Sequence, residues 1–143
     1  MSFRFATANV NKALRGKALT AAIGRVADRA DVVCWQEIES DAHVAALRAL
    51  AGWTTIWPDG HARKSPPNAT PLSYRTDLFT VQGEGYAKTV DGIAKVTPSR
   101  YDDWFELTEI ASGVTFPVVN VHALSGIGKP GKHARWGGLT RML

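Results

Sequence analysis

Three groups of polar residues in this 143-residue chain stand at or just past the ends of segments that are otherwise apolar: Asn9 with Asn11, Glu37, and Asn120 with His122. A carboxylate, an imidazole and neutral amides can act together on a bound ligand once they share a site. Taken singly, each has a plainer reading: a Glu at a strand end is usually a solvated rim residue, and a lone His is more often hydrogen-bonded into the structure. Their position is what matters. In sheets built from parallel βαβ units, ligands bind outside the carboxyl ends of the strands, so side chains from strands distant in sequence can converge there.

The elements that must position them follow from hydrophobic periodicity. Phe3 to Val10 alternates larger apolar with polar or small residues, which predicts a strand ending near Asn9. Leu19, Ile23, Val26, Ala27 and Ala30 form one apolar stripe on a helix over roughly 16–29. Residues 31–38 are nearly continuously apolar and turn polar at the end, as in a strand covered on both faces. Ser40 is a good N-cap for a second helix at about 41–51, where Val44, Leu47 and Leu50 recur at helical spacing. Strand, helix, strand, helix implies a right-handed crossover with the two strands parallel. Further strands are expected at 53–57, 72–76, 78–83, 103–111 and 115–123, the last two joined by a turn at Ser112-Gly113. Residues 58–71, 85–101 and 126–131 read as loops, and 133–143 as the start of a helix.

Composition narrows the class. With 45% hydrophobic and 21% charged residues, the chain is neither a disordered tail nor a fibrous repeat. Its apolar runs fall far short of the roughly 18 residues a membrane span needs. No secretory signal pattern opens the sequence, so the cytoplasm is the expected compartment. A single cysteine, Cys34, excludes an internal disulfide and a cysteine-based zinc site, and its apolar setting suggests a small buried hydrophobe. Seventeen Lys plus Arg against thirteen Asp plus Glu give a net charge of +4, a mild bias toward polyanionic partners.

The motifs themselves resemble those of the endonuclease/exonuclease/phosphatase superfamily, which includes DNase I-like nucleases. Phe5-Ala6-Thr7-Ala8-Asn9-Val10-Asn11 resembles its first strand, and Asp31 to Glu37 resembles the strand whose terminal Gln-Glu supplies the metal-binding Glu. Leu72-Ser73-Tyr74-Arg75 is similar to the strand carrying an aromatic-Arg pair, and Val119-Asn120-Val121-His122 to the Asn-x-His strand. The resemblance implies an α/β fold, a DNase I-like β-sandwich flanked by helices, here reduced to its first half. It also implies a metal-dependent phosphodiesterase, with an endonuclease or exonuclease preferred over a phosphatase. Glu37 would hold Mg²⁺ or Mn²⁺, since Mg²⁺ suits one or two carboxylates with water and phosphate oxygens. Asn9, Asn11 and His122 would be catalytic, and Tyr74, Arg75 and Asn120 would contact the substrate phosphate.

Other motifs of the superfamily do not occur: the sequence contains neither a Gly-Asp-x-Asn nor an Asp-His. The Gly126 to Gly131 stretch does not have the spacing of a phosphate-binding loop. The resemblance thus predicts a half domain with the inner face of one sheet exposed, to be covered by a partner chain or a second copy. A catalytically incomplete half acting only with such a partner is the alternative to an active nuclease. Nucleic acid is the expected substrate, and His61, Arg63, Lys64 and Arg75 the basic groups that suit its backbone.

Overall fold

The computed structural model describes residues 2–11, 13–58, 70–90 and 100–122. The first half runs β1 (Phe5–Asn9), α1 (Gly16–Ala27), β2 (Val32–Gln36), α2 (Asp41–Arg48) and β3 (Trp53–Ile56). Then follow β4 (Leu72–Arg75), β5 (Phe79–Val90), β6 (Arg100–Glu109) and β7 (Thr115–Asn120). Two sheets result, one four-stranded in the order β1-β2-β4-β3 and one three-stranded in the order β5-β6-β7. Only β1 and β2 pair in parallel, as the helical crossover between them requires; the other pairs are antiparallel.

The unbroken apolar run of β2 is explained by what lies on either side. Val33 and Trp35 face the helix layer, where they pack with Leu19 and Ile23 of α1 and Val44 and Leu47 of α2. Val32, with Leu72 of β4, packs on the opposite face against Phe79, Phe105 and Leu107 of the second sheet. Helices, first sheet and second sheet form three layers with two cores. The inner faces of the two sheets cover each other over β2 and β4, whereas at the β1 edge Phe5, 53% exposed, with Thr7 and Asn9 leaves that face open. The outer face of the second sheet is open too, where Trp104 is 39% and Val119 48% exposed.

Local signals account for most boundaries. The Ser40 hydroxyl accepts the His43 N–H at 3.2 Å and starts α2. Gly113, with φ +70°, closes the turn between β6 and β7, and its N–H donates to the Glu109 carbonyl. Residues 85–90 and 100–101, expected as loop, instead extend a long β5–β6 ribbon. Register shifts between Val81 and Gly83 and between Lys88 and Val90 change the side-chain parity, so no period of two survives along that stretch. Gly85 is needed there because a Cβ would come within 2.6 Å of the Trp104 indole lying over it. The expected loop at 126–131 and helix at 133–143 lie outside the described residues. Among the described residues no helix is long and apolar enough to cross a membrane.

Where β1 and β2 begin, Arg4 clasps Asp31. Its guanidinium donates at 2.9 and 3.3 Å and its backbone N–H at 2.9 Å to the carboxylate. Hydrogen bonding from Arg4 holds the Asp31 carboxyl below its ordinary value of 3.8. A folded value below the unfolded one contributes stability that is complete above the ordinary carboxylate range and is lost as pH falls through the folded value. Asp31→Asn is expected to lower stability at neutral pH by about 1–3 kcal/mol and to flatten its decline below about pH 4. Urea melts at both pH values check this; a variant with the wild-type acid profile would refute the role of the clasp.

Candidate functional site

The parallel register aligns Asn9 with Gln36, which brings the carboxyl ends of β1 and β2 side by side. Thr7 and Gln36 share the face turned toward the second sheet, where the Gln36 amide donates to Thr7 Oγ1 at 2.9 Å. By strand alternation Asn9 lies on that face too, at its exposed end. Glu37 follows Gln36 with φ +60°, the one non-glycine residue in the left-handed region among the described residues. Such a conformation costs on the order of 1–3 kcal/mol and persists only where its surroundings fix it. They do so here: Gln36 is buried toward the second sheet and Ile38 is buried in the helix-side core, placements a regular strand could not give to residues two apart.

The second sheet contributes the opposite wall. Asn120, 1% exposed at the end of β7, accepts from Gln36 Nε2 at 2.8 Å. Its own amide donates to the carbonyls of Trp35, Thr70 and Pro71 at 2.8, 3.0 and 3.1 Å. Two residues on, His122 Nε2 stands 3.9 Å from Glu37 Oε1, with both side chains partly exposed. Glu37 and His122 thus meet at one end of the slot between the sheets, beside a floor made by Gln36 and Asn120, and the register puts Asn9 at the end of the neighbouring strand. A partly exposed carboxylate beside an imidazole, with an amide within the same strand end, can hold a cation and hydrogen-bond an anion.

Other expected site residues stand elsewhere. Asn120 belongs to the floor: its buried amide is fully used between the sheets and has no capacity left for a substrate phosphate. Asn11 Oδ1 accepts the Ala13 N–H at 2.9 Å, which shapes the turn after β1. Tyr74 and Arg75 are at the wrong end of the sheet. Because β4 runs antiparallel to β2, Tyr74 lies opposite Val32, and the Arg75 N–H bonds the Asp31 carbonyl where β2 begins. Tyr74 packs against the core between the sheets. Arg75 is bidentate with Asp77 at 3.0 and 2.6 Å, beside an open groove of about 380 Å³ that Arg4 and Asp28 also line. That groove is remote from Glu37, and its arginines already carry carboxylate partners. His61, Arg63 and Lys64 lie outside the described residues. Cys34 is half-buried rather than the buried hydrophobe expected, and desolvation still pushes its thiol up to about 11, so it stays protonated. Among the described residues no three His, Cys, Asp or Glu side chains cluster as a metal cage.

Sequence reasoning missed the groups that support the site. Thr7 and Gln36 reveal themselves only through the sheet register. Thr70 Oγ1 donates at 2.7 Å to the buried Asp103 carboxylate, which lies opposite Asn120 in the β6–β7 ladder. His43, fully buried, left one signal in the sequence: it stands four residues before Leu47 on the apolar side of α2.

Solved structures share this fold. A functionally unknown conserved protein from Enterococcus faecalis V583 aligns with a TM-score of 0.70 and 20% identity, over 98% of this chain and 59% of its own. A mannosyl-6-phosphatase from Bacteroides thetaiotaomicron aligns at 0.65 and 18%, over 82% of this chain and 50% of its own. An endonuclease/exonuclease/phosphatase family protein from the same species aligns at 0.65 and 16%, over 82% and 49%. The sequence matches no protein-family model, and no curated protein matches it. The chain has the endonuclease/exonuclease/phosphatase fold, DNase I-like, and spans about half the length of the solved structures it matches.

Asn120→Ala is expected to destabilise the chain by about 2–4 kcal/mol, because it removes at once a buried acceptor for Gln36 Nε2 and the side-chain donor to three buried carbonyls, although Gln36 keeps Thr7 and the Pro71 carbonyl keeps the Trp35 N–H. Chemical denaturation gives the number. A loss below about 0.5 kcal/mol would mean that the two sheets do not depend on this amide.

Proposed function

We propose that the chain carries the metal-binding part of a phosphodiesterase site acting on nucleic-acid phosphodiester bonds. The observation that carries this reading is the convergence of Glu37 and His122, 3.9 Å apart, beside Asn9 at the carboxyl ends of the strands. The net charge of +4 favours a polyanionic substrate.

The donors suit Mg²⁺ or Mn²⁺. Mg²⁺ is usually held by one or two carboxylates and keeps several waters, so Glu37 with hydrogen-bonding neighbours is a fitting, partly open set. Such an ion, when bound, polarises the phosphoryl oxygen and offsets the charge that develops there. Glu37 would hold it. The neutral Asn9 amide would orient the phosphate or a water without adding negative charge beside an anionic substrate. His122 would donate a hydrogen bond or a proton to a phosphate oxygen. Gln36 and Asn120 position these groups from beneath, and Asn11 fixes the turn that leaves β1. Tyr74 and Arg75, at the far end of the sheet, have no part in this reading.

Metal-dependent cleavage of supercoiled plasmid and of bis(p-nitrophenyl) phosphate is the expected activity, with a fall of about a hundredfold or more in Glu37→Ala. Cleavage unaffected by EDTA or by this substitution would refute the reading. A second reading rests on the chain's spanning about half of each matched structure: hydrolysis needs the rest of the fold, from the same or another polypeptide. Metal binding that depends on Glu37, without turnover, would favour it. Faster hydrolysis of p-nitrophenyl phosphate than of the diester would move the assignment to a phosphatase of the same superfamily.

A further inference from the structure

His43 is the one fully buried imidazole among the described residues, and its ring spans the two loops that leave the carboxyl ends of β1 and β2. The Glu39 N–H donates to Nδ1 at 3.4 Å. This bond leaves the ring proton on Nε2, which donates to the Leu14 carbonyl at 3.2 Å. The same carbonyl accepts from Arg15 Nη1 at 2.7 Å, which explains why that guanidinium stands 3.4 Å from the ring. The Leu14 N–H in turn donates to the Asn11 carbonyl at 2.9 Å, so the first loop is closed on itself and tied to the ring. Glu39 lies two residues after Glu37, on the loop whose left-handed residue needs external support.

An imidazole costs free energy to bury unless both nitrogens are satisfied, and α2 gains nothing from a histidine here that leucine would not supply better. What it supplies is a rigid bridge between two backbone groups, one on each loop. We propose that His43, seated in α2 and oriented by its bond to Leu14, is a positioning residue that holds the Glu37 loop through the Glu39 N–H and thereby sets the Glu37 carboxylate for a divalent cation. The proposal rests on the functional reading above; it adds a residue in the helix layer that touches neither metal nor substrate.

Two substitutions divide the bridge. In His43→Asn the side-chain oxygen, attached to Cγ as Nδ1 is, can still accept from Glu39, while the Leu14 bond is lost. In His43→Gln the longer amide can still donate to Leu14, while the Glu39 bond is lost. The full 143-residue chain would be titrated with MnCl₂ by calorimetry as wild type, Glu37→Ala and both His43 variants, with the melting temperature of each recorded. Backbone amide exchange at Glu37 to Glu39 would be followed by NMR without metal. His43→Gln is expected to weaken Mn²⁺ about tenfold or more and to speed that exchange by a similar factor. His43→Asn is expected to stay within about threefold of wild type in both, at a comparable loss of melting temperature. A merely structural histidine would lower melting in the two variants and leave their affinities and Glu37 to Glu39 exchange alike; that result overturns the proposal. If the wild type binds no Mn²⁺, or Glu37→Ala binds it as well, the functional reading fails. The exchange data then still decide whether His43 holds the loop.

Discussion

The buried amide of Asn120 is the contact on which the rest of the architecture turns. Two sheets stacked on apolar side chains can slide, because hydrophobic contact has no direction. An amide that accepts from Gln36 and donates to three carbonyls of the first sheet and its approach can be satisfied in one relative placement. Leaving those groups unpaired in a core costs more than the bonds return when made, and this asymmetry sets the register of the layers. Because Asn120 ends β7 and Gln36 ends β2, the point fixed most tightly is the end where Glu37 and His122 face each other.

Support for that end comes from both cores. From the sheet side, Gln36 and Thr7 share hydrogen bonds and Thr70 is held by Asp103. From the helix side, Ile38 is buried among the residues of α1 and α2, and the Ser40 cap starts α2 directly after the Glu37 turn. The left-handed conformation of Glu37 is the geometric consequence: it lets its two neighbours enter different cores and leaves its own carboxylate partly exposed beside His122. The opposite end of the sheet is built from charge pairs, Arg4 with Asp31 and Arg75 with Asp77, which close the strands without leaving an open cation for a ligand.

Much of this was legible in the residue pattern, for stated reasons. The alternation of β1 and the continuous apolar run of β2 report their faces directly, and Ser40 marks a helix start by its chemistry. The β5–β6 ribbon was not legible, since its bulges and the glycine beneath Trp104 erase the period of two. Glu37 and His122 were legible as polar residues at the ends of apolar strands. The misplacement of Arg75 has a different cause: a pattern identifies a strand but not its direction, and an antiparallel β4 carries its C-terminal arginine away from the site. Asn120 shows a third limit, because a polar residue at a strand end looks the same in sequence whether its amide faces a ligand or a carbonyl.

The proposed function assigns a place: Glu37 would hold a divalent cation beside His122, at the carboxyl ends of the strands. The most direct test is paramagnetic broadening in the isotope-labelled chain on stepwise addition of Mn²⁺. Resonances of Asn9, Glu37 and His122 should broaden first and together, while those of Arg4, Arg75 and Asp77 stay sharp. Broadening that begins at the Arg4–Arg75 groove, or that spreads evenly over the surface acids, would contradict it.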